Sequence, residues 1–274
     1  MTDRPLTLMA VHAHPDDEAS TTGGILAKYS AEGIRTVLVT CTNGELGDTP
    51  EVQAGEAGHA DDHDTEAVVA LRMKELRDSC DVLGVSHLET LGFHDSGMEG
   101  WPQNDAPGSF WSTPVDEAAK PLIALIEKYE PDVVITYDDY GFYGHPDHIQ
   151  AHRITMAALE ATGSTARLYF PTFRRSGLPA FRELLEKAGM EPPPIDETEF
   201  GSPDEDVAAV IDCKEQAAQK MAALKAHVSQ AANIFFIHFP MEVFSEVFGE
   251  EAFVRQHPAW TGGEPETDLF AGLR

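Results

Sequence analysis

The chain has 274 residues, of which 42% are hydrophobic, and 19 Lys and Arg stand against 47 Asp and Glu, a formal net charge of −28. A chain this acidic repels nucleic acid phosphates and anionic membrane surfaces, so we expect neither as a partner. The sequence contains no apolar stretch near the ~18 residues of a membrane span and no signal-peptide pattern. Its three cysteines do not have the spacing of a metal or redox motif. We therefore expect a cytoplasmic protein.

The first 40 residues have the pattern of a strand, a helix and a second strand. Leu6–His12 is a nearly continuous apolar run, which is typical of a buried parallel strand. Pro15 is placed to begin a helix, and Gly33 is placed to end it. Thr36–Thr40 is a second apolar strand. This order predicts a βαβ unit.

The alternation of strand and helix continues to about residue 160. The predicted elements are the helices Glu66–Leu83, Val115–Tyr129 and Pro146–Leu159 and the strands His87–Leu91 and Val133–Tyr137. Such alternation predicts an α/β fold with a Rossmann-like, mostly parallel sheet flanked by helices.

The pattern is less regular in the last hundred residues. Pro179–Ala188 and Cys213–His227 are predicted helices, and the aromatic segment Phe235–Phe248 is suited to capping the core. We predict a Rossmann-like catalytic core over residues 1–175. Residues 176–274 are predicted to form a smaller α+β portion that packs on this core and completes the pocket.

Two long loops, Asn43–Thr65 and Gly92–Thr113, interrupt the alternation. Each follows the carboxyl end of a predicted strand. Right-handed crossovers bring those ends to one edge of a parallel sheet, where sites form, so we expect both loops to overhang that edge.

The tripeptide His-Pro-Asp occurs twice, each time after a predicted strand. In the first copy His14 and Asp17 are three residues apart, and in the second His145 and His148 have the same spacing. At the start of a helix this spacing places two side chains on one side. If the two strands are neighbours, both pairs converge at the same edge of the sheet.

Histidine and carboxylate side chains are ligands for zinc and similar ions, and a catalytic zinc uses three protein ligands. More than three candidates are present: His12, His14, Asp16, Asp17, Glu18, His145, Asp147, His148 and His152. The excess favours hydrolysis, which also needs a base and a hydrogen-bond donor. A single His-Pro-Asp would fit an ordinary helix start, but two copies with further acidic or histidine residues favour a metal site.

Other chemistries fit the sequence less well. It lacks a Gly-x-Ser-x-Gly elbow and a dinucleotide-binding or P-loop motif, and no basic residue adjoins Cys41. We expect Cys41 to be structural. We expect His12 to support the site or lie in the core, and His152 to support the site or face the surface.

The segments "AHPDDE", "CTNGELGD" and "YGHPDHIQAH" resemble the LmbE/PIG-L family of metal-dependent N-deacetylases over residues 6–160, and "KMAALKAHVSQ" is also similar. Within the family the chain resembles the mycothiol branch, which holds an N-acetylglucosaminyl-inositol deacetylase and a mycothiol S-conjugate amidase.

The resemblance implies three metal ligands: His14, Asp17 and His148. It implies four catalytic residues, namely Asp16 as general base, Tyr143 and His145 as oxyanion stabilisers or general acid, and Asp147 as the residue that orients His145. It also implies substrate contacts from Arg72 and Asp95, with Glu45 and Met98 nearby.

The implied cofactor is Zn²⁺, although Fe²⁺ uses the same ligands. The implied function is removal of an acetyl or other N-acyl group from an N-acetylglucosamine-type conjugate by activated water. The alternatives are amidase cleavage of a larger thiol conjugate and, in another class, a non-catalytic metal-binding domain. The partner is a small molecule, and a homo-oligomer is compatible with the sequence.

Two features depart from the family pattern. Gly141-Phe142 replaces a common Gly-Gly pair, and the 92–113 loop carries Trp101 and Trp111. These aromatic residues would either favour a larger, more apolar substrate or serve only to pack the loop.

Overall fold

The computed structural model describes residues 4–47, 65–191, 200–232 and 234–274, with the side chain of Phe235 left out. Seven strands form one sheet: β1 Thr7–His12, β2 Arg35–Thr42, β3 His87–Phe93, β4 Val133–Ile135, β5 Arg167–Thr172, β6 Val207–Asp212 and β7 Glu250–His257. The helices are α1 Asp17–Thr21, α2 Gly23–Ala31, α3 Thr65–Leu83, α4 Val115–Tyr129, α5 Gly141–Gly144, α6 Pro146–Thr162, α7 Leu178–Lys187, α8 Ala217–Ala226 and α9 Met241–Phe248.

The strand order in the sheet is β3-β2-β1-β4-β5-β7-β6. The first five of these strands are parallel, whereas β7 is antiparallel to both β5 and β6. The predicted α/β class with a mostly parallel sheet is therefore confirmed. The chain adds β2 and β3 on one side of β1 and then crosses to add β4 on the other side, so the strand order reverses between β1 and β4. The carboxyl ends of these two neighbouring strands are the expected place for a site.

The sheet separates two apolar layers. On one face α2, α3 and α8 contribute buried side chains such as Leu26, Leu76 and Leu224, and on the other α4 and α6 contribute Leu122 and Ile154. Helices on both faces explain why β1 and β4 consist entirely of buried residues. The scaffold beneath the site is thus packed on both sides.

The elements before residue 165 match the predictions closely. The predicted helix after the first strand is divided at Thr22 into α1 and α2, because Thr22 leaves the helical conformation at φ −129°. The predicted strand to Tyr137 ends two residues earlier, at Ile135. The helix α4 has the predicted bounds.

Three strands were not predicted. β5 contains a proline and begins with arginine, and β7 carries charged residues at both ends, so neither shows a clear period of two. β6 and β7 extend the same sheet as the core, and they account for the β content expected in residues 176–274. The predicted helix from Cys213 begins as a 3₁₀ turn, and α8 starts only at Ala217.

Of the two long loops, the part of the first loop at 48–64 lies outside the described residues. The 92–113 loop is anchored by a bridge between His94 and Ser109 and by hydrogen bonds from the Gln150 side chain to the carbonyls of Phe110 and Thr113. No helix in the described ranges has the length and apolar character needed to cross a bilayer.

Candidate metal centre and active site

The two His-Pro-Asp segments meet at the carboxyl ends of the neighbouring strands β1 and β4. The ring centroids of His14 and His145 are 4.6 Å apart, and those of His14 and His148 are 5.3 Å apart. One nitrogen from each of these three buried histidines lies within 4.8 Å of the others. The predicted convergence of the two segments is what the fold produces.

Asp17 lies between two of these histidines. Its Oδ2 atom is 3.4 Å from His14 Nδ1 and 3.5 Å from His148 Nε2. Both distances exceed those of good N–H···O hydrogen bonds. Zinc ligands about 2.0–2.1 Å from a tetrahedral metal lie roughly 3.3 Å from one another. The spacing around Asp17 therefore fits a shared cation better than direct hydrogen bonds.

The state of His148 supports the same conclusion. Its Nδ1 atom lies 3.2 Å from the carbonyl oxygen of Gly141, whereas its buried Nε2 atom has no hydrogen-bond partner within the described part of the chain. Burial lowers the pKa of His148 to about 4, so the ring is neutral with a lone pair available. A buried, unpaired imidazole nitrogen beside a carboxylate is a suitable metal ligand.

Two further carboxylates lie behind His14. Its Nε2 atom is 3.3 Å from Asp147 Oδ2 and 3.7 Å from Asp95 Oδ1, and these three residues form a second grouping of potential ligands. Burial alone would lower the pKa of His14, but Asp95, Asp147 and Asp17 together raise it well above the usual value. This concentration of negative charge also suits a divalent cation. A carboxylate on the outer nitrogen is the usual support of a metal-binding histidine.

Asp16 occupies an unusual backbone position. It has φ 110°, in a region that side chains other than glycine rarely adopt. Its carboxylate accepts a hydrogen bond of 2.9 Å from Arg72. Burial raises the pKa of Asp16 to about 6, with Asp17 adding to the rise and Arg72 opposing it. A carboxylate with this pKa is suited to general base catalysis near neutrality.

His145 is the residue that caps α6. Its Nδ1 atom accepts the backbone N–H of Asp147 at 3.1 Å. Burial, followed by the neighbouring His14 and His148, lowers the pKa of His145 to about 2. The ring is therefore neutral with its proton on Nε2, which makes it a hydrogen-bond donor rather than a cation.

The contacts of Asp147 differ from the predicted ones. Its carboxylate accepts the backbone N–H of Ser96 at 2.9 Å and faces His14, whereas only its backbone N–H contacts His145. The structure thus places the Asp147 side chain behind a predicted metal ligand.

A cavity of about 910 Å³ opens beside these residues. Its lining includes Asp16, Asp17, Tyr143 and His148. The Tyr143 ring is half-exposed, and its centroid is 5.0 Å from that of His148. Much of the remaining wall is apolar and includes Phe142, Phe173, Leu178, Phe181, Phe200 and Phe248. The wall therefore includes residues that precede residue 175 in the sequence and residues that follow it.

Phe142 contributes to this wall from a strained backbone. Its φ is 69°, which favours glycine, and its ring packs near Phe173 and Phe200. Neither Trp101 nor Trp111 is among the described residues that line the cavity. Trp101 packs against Gly97, and Arg153 on α6 lies 4.7 Å from the centre of the Trp111 ring, so both tryptophans pack against neighbouring parts of the protein.

The four predicted substrate contacts do not line this cavity. Arg72 is buried and donates to the carbonyls of Gly44 and Pro15 as well as to Asp16. Asp95 lies behind His14, and Glu45 accepts a hydrogen bond from the exposed His94. Met98 is exposed.

Sequence reasoning missed Tyr137. Its hydroxyl donates to Asp17 Oδ2 at 2.7 Å and accepts the backbone N–H of Ala13 at 3.0 Å. Its ring is stacked on that of His148 with centroids 4.1 Å apart. Tyr137 thus orients two of the predicted ligands, and its place at the carboxyl end of the predicted strand Val133–Tyr137 was the signal that could have identified it.

The last two candidate histidines from the sequence analysis, His12 and His152, pack around Tyr137. The buried His12 contacts the Tyr137 hydroxyl and the Thr22 hydroxyl. His152 lies 2.9 Å from the Tyr137 carbonyl oxygen. Both support the site from outside, as one of the sequence interpretations expected.

The sheet and the site together define an α/β protein with a cluster of histidine and carboxylate side chains suited to a divalent metal. The family model described as "PIG-L: GlcNAc-PI de-N-acetylase" matches residues 9–159, just over half of the chain. The chain belongs to this family, and the predicted class, an N-deacetylase that hydrolyses an amide bond, is confirmed.

Full-length relatives agree with the family model. The chain is 38% identical to the 1D-myo-inositol 2-acetamido-2-deoxy-alpha-D-glucopyranoside deacetylase of Geodermatophilus obscurus, with 97% of each chain covered. It is 39% identical to the deacetylase of the same name in Thermobifida fusca, with 99% of this chain and all of the relative covered.

The fold also matches solved structures. N,N'-diacetylchitobiose deacetylase from Pyrococcus horikoshii superposes with a TM-score of 0.58 at 20% identity, covering 91% of this chain and 83% of that one. At this identity the likeness shows the fold alone, and the reaction must be argued from the site.

Proposed function

We propose that this protein removes the acetyl group from an N-acetylglucosamine joined to inositol, using a zinc ion held by His14, Asp17 and His148. The observation that carries the proposal is the Asp17 carboxylate, placed 3.4 Å and 3.5 Å from two histidine nitrogens, one of them buried and unpaired. Iron(II) accepts the same ligands, so it is the alternative metal.

A bound zinc ion supplies Lewis acidity, which lowers the pKa of water and polarises an amide carbonyl. Asp16 lines the cavity beside the ligands and takes the proton of the attacking water. When the C–N bond breaks, Asp16 is placed to return that proton to the leaving amine. Arg72 holds the carboxylate in place through its 2.9 Å hydrogen bond.

The oxygen that becomes negative in the transition state needs hydrogen-bond donors. His145 offers Nε2–H because its Nδ1 atom is used by the backbone N–H of Asp147. The Tyr143 hydroxyl is a second donor at the cavity wall. We assign both residues to stabilising this oxygen.

For the sugar we keep the predicted contacts Arg72, Asp95, Glu45 and Met98. Arg72 already binds Asp16, so its contribution to sugar binding would be made alongside that role. We also propose that residues 1–175 act as the catalytic core and that residues 176–274 complete the pocket, since Leu178, Phe181 and Phe248 form part of its wall. The cytoplasmic location and homo-oligomer formation stay predictions.

The apolar wall supports a second candidate function. A cavity of about 910 Å³ exceeds what an acetyl group needs, and it would accommodate the apolar group of a larger thiol conjugate. In that case the enzyme would be an amidase with the same chemistry.

The test compares amine release from N-acetylglucosaminyl-inositol with release from a mycothiol S-conjugate. Enzyme stripped by a chelator would be reconstituted with zinc, or with iron(II) under anaerobic conditions. We expect the sugar conjugate to be hydrolysed faster and chelation to abolish turnover. A metal-replete enzyme inert towards both substrates and a panel of N-acyl glucosamines would instead indicate a non-catalytic metal-binding domain.

A further inference from the structure

A buried polar cluster lies directly beneath Asp16 and has no part in the chemistry described so far. Its members are Glu18, Ser79 and His227, all without solvent exposure. Glu18 Oε1 accepts hydrogen bonds of 2.5 Å from the Ser79 hydroxyl and 2.7 Å from His227 Nε2. Glu18 Oε2 accepts the backbone N–H of Asp16 at 2.9 Å.

The cluster joins three distant parts of the chain. Glu18 is on α1, Ser79 is on α3, and His227 directly follows α8 in the C-terminal portion. Ser79 and His227 both converge on the carboxylate of Glu18. A fully buried carboxylate is costly unless it is paired and hydrogen-bonded, and here each oxygen has at least one donor.

The contact with Asp16 is made at a strained point of the backbone. Asp16 has φ 110°, and conformations of this kind persist only where the surroundings hold them. Its side chain forms no capping hydrogen bond to α1. The direction of the Asp16 carboxylate follows from this backbone conformation, and Glu18 is the group that holds the amide.

We propose that Glu18, held by His227 and Ser79, is a positioning residue that fixes the Asp16 carboxylate towards the reacting centre through the Asp16 backbone amide. The C-terminal portion would then contribute to turnover through His227, without contact with substrate. This inference rests on the proposed function, in which Asp16 is the general base.

The competing explanation is that the cluster only stabilises the fold. Asp132 provides a matched control, because its carboxylate also accepts a backbone N–H, from Thr7 at 2.8 Å, and pairs with a cation, Arg4 at 2.6 Å. It lies before β4, at the end of the sheet opposite to the site. Asp132→Asn should lower thermal stability and leave kcat unchanged.

Four variants would be compared: Glu18→Gln, His227→Leu, His227→Gln and Asp132→Asn. Glu18→Gln and His227→Leu should lower kcat by about 10- to 100-fold, the range seen when supporting residues of a site are removed, with KM within about twofold and zinc content unchanged. His227→Gln keeps a donor for Glu18 and should recover most of kcat. A stabilising role alone would instead give parallel losses of stability in all buried variants and leave kcat of the folded fraction intact.

A double-variant cycle gives the sharpest result. If Glu18 acts only through Asp16, Glu18→Gln should cause no further loss of kcat in the Asp16→Ala background. An equal loss in both backgrounds would overturn the proposal.

Amide hydrogen exchange of the peptide around Asp16 provides a readout that does not need activity. Exchange should accelerate in Glu18→Gln and His227→Leu but not in Asp132→Asn. If wild-type enzyme released no amine, the proposed function would fail while this measurement still tested the positioning. Unchanged exchange in all variants would overturn the positioning itself.

Discussion

The tripeptide His-Pro-Asp adopts two different structures in this molecule. In the first segment Asp16 has a left-handed backbone and its side chain is 23% exposed, with the carboxylate on Arg72 and beside the cavity. In the second, Asp147 lies in the first turn of α6 with its side chain fully buried behind His14.

The histidines differ in the same way. His14 lies among three carboxylates, whereas His145 caps a helix and is surrounded by other histidines. In the proposed function, one segment would therefore offer a ligand and a base, and the other a neutral donor and a carboxylate that supports the ligand of the first. A repeated motif thus gives complementary parts of one site, because the two segments face each other from neighbouring strands.

The largest expected effect comes from Asp16, the aspartate beside the cavity. Asp16→Ala should lower kcat by about 10²–10⁴, the usual contribution of a general base, while zinc stoichiometry is retained. Steady-state amine release and metal analysis of the same preparation check this. Loss of zinc in the variant would make Asp16 a ligand and remove the distinction between the two aspartates.

A somewhat smaller loss of kcat is expected for His145, the histidine of the second His-Pro-Asp segment. His145→Ala should lower kcat by about 10²–10³, because it removes a donor to the developing oxyanion, with zinc affinity nearly unchanged. The measurement is kcat beside a zinc titration against a competing chelator. If zinc binding weakened as strongly as turnover, His145 would be acting as a ligand, as its nitrogen's proximity to those of His14 and His148 permits.

Replacement of the buried Asp147 should mainly lower the affinity of the site for its metal. Asp147→Asn removes the negative charge 3.3 Å from His14 Nε2, so zinc affinity should fall by about 10–100-fold, and turnover at saturating zinc should be less affected. The chelator titration used for His145 measures this effect. A loss of kcat with undiminished zinc affinity would return Asp147 to its predicted role of orienting His145.

The smallest effect is expected beside the second segment, at Phe142. Phe142→Gly should lower kcat/KM for a bulky N-acyl substrate about 5- to 10-fold relative to the acetyl substrate, because an apolar wall of the cavity is lost. Stability should change little, since φ 69° suits glycine. An unchanged substrate ratio would mean that the apolar wall does not contact the acyl group.

Much of this molecule can be predicted from local sequence. The apolar runs of β1 and β2 identify the centre of the sheet, because parallel strands buried on both faces carry a strong continuous signal. The spacing of His14 and Asp17, and of His145 and His148, predicted that the two pairs converge if their strands are neighbours, and the pairing of β1 with β4 meets that condition.

The C-terminal strands could not be predicted in the same way. β5 and β7 mix apolar with charged or proline residues, and β5, β6 and β7 become strands because each pairs with a neighbour in the sheet. Pairing of this kind depends on residues far apart in the chain, which local patterns do not report.

By itself, the sequence determined the fold class, the edge of the sheet at which the site forms and the residue types available there. Only the tertiary structure decided which of these residues face one another. Tyr137 meets Asp17, Asp147 meets His14, and His227 reaches Glu18 across 209 residues of sequence. Chain spacing fixes neighbours within one helical turn, whereas hydrogen bonds between elements depend on how the sheet and its helices pack.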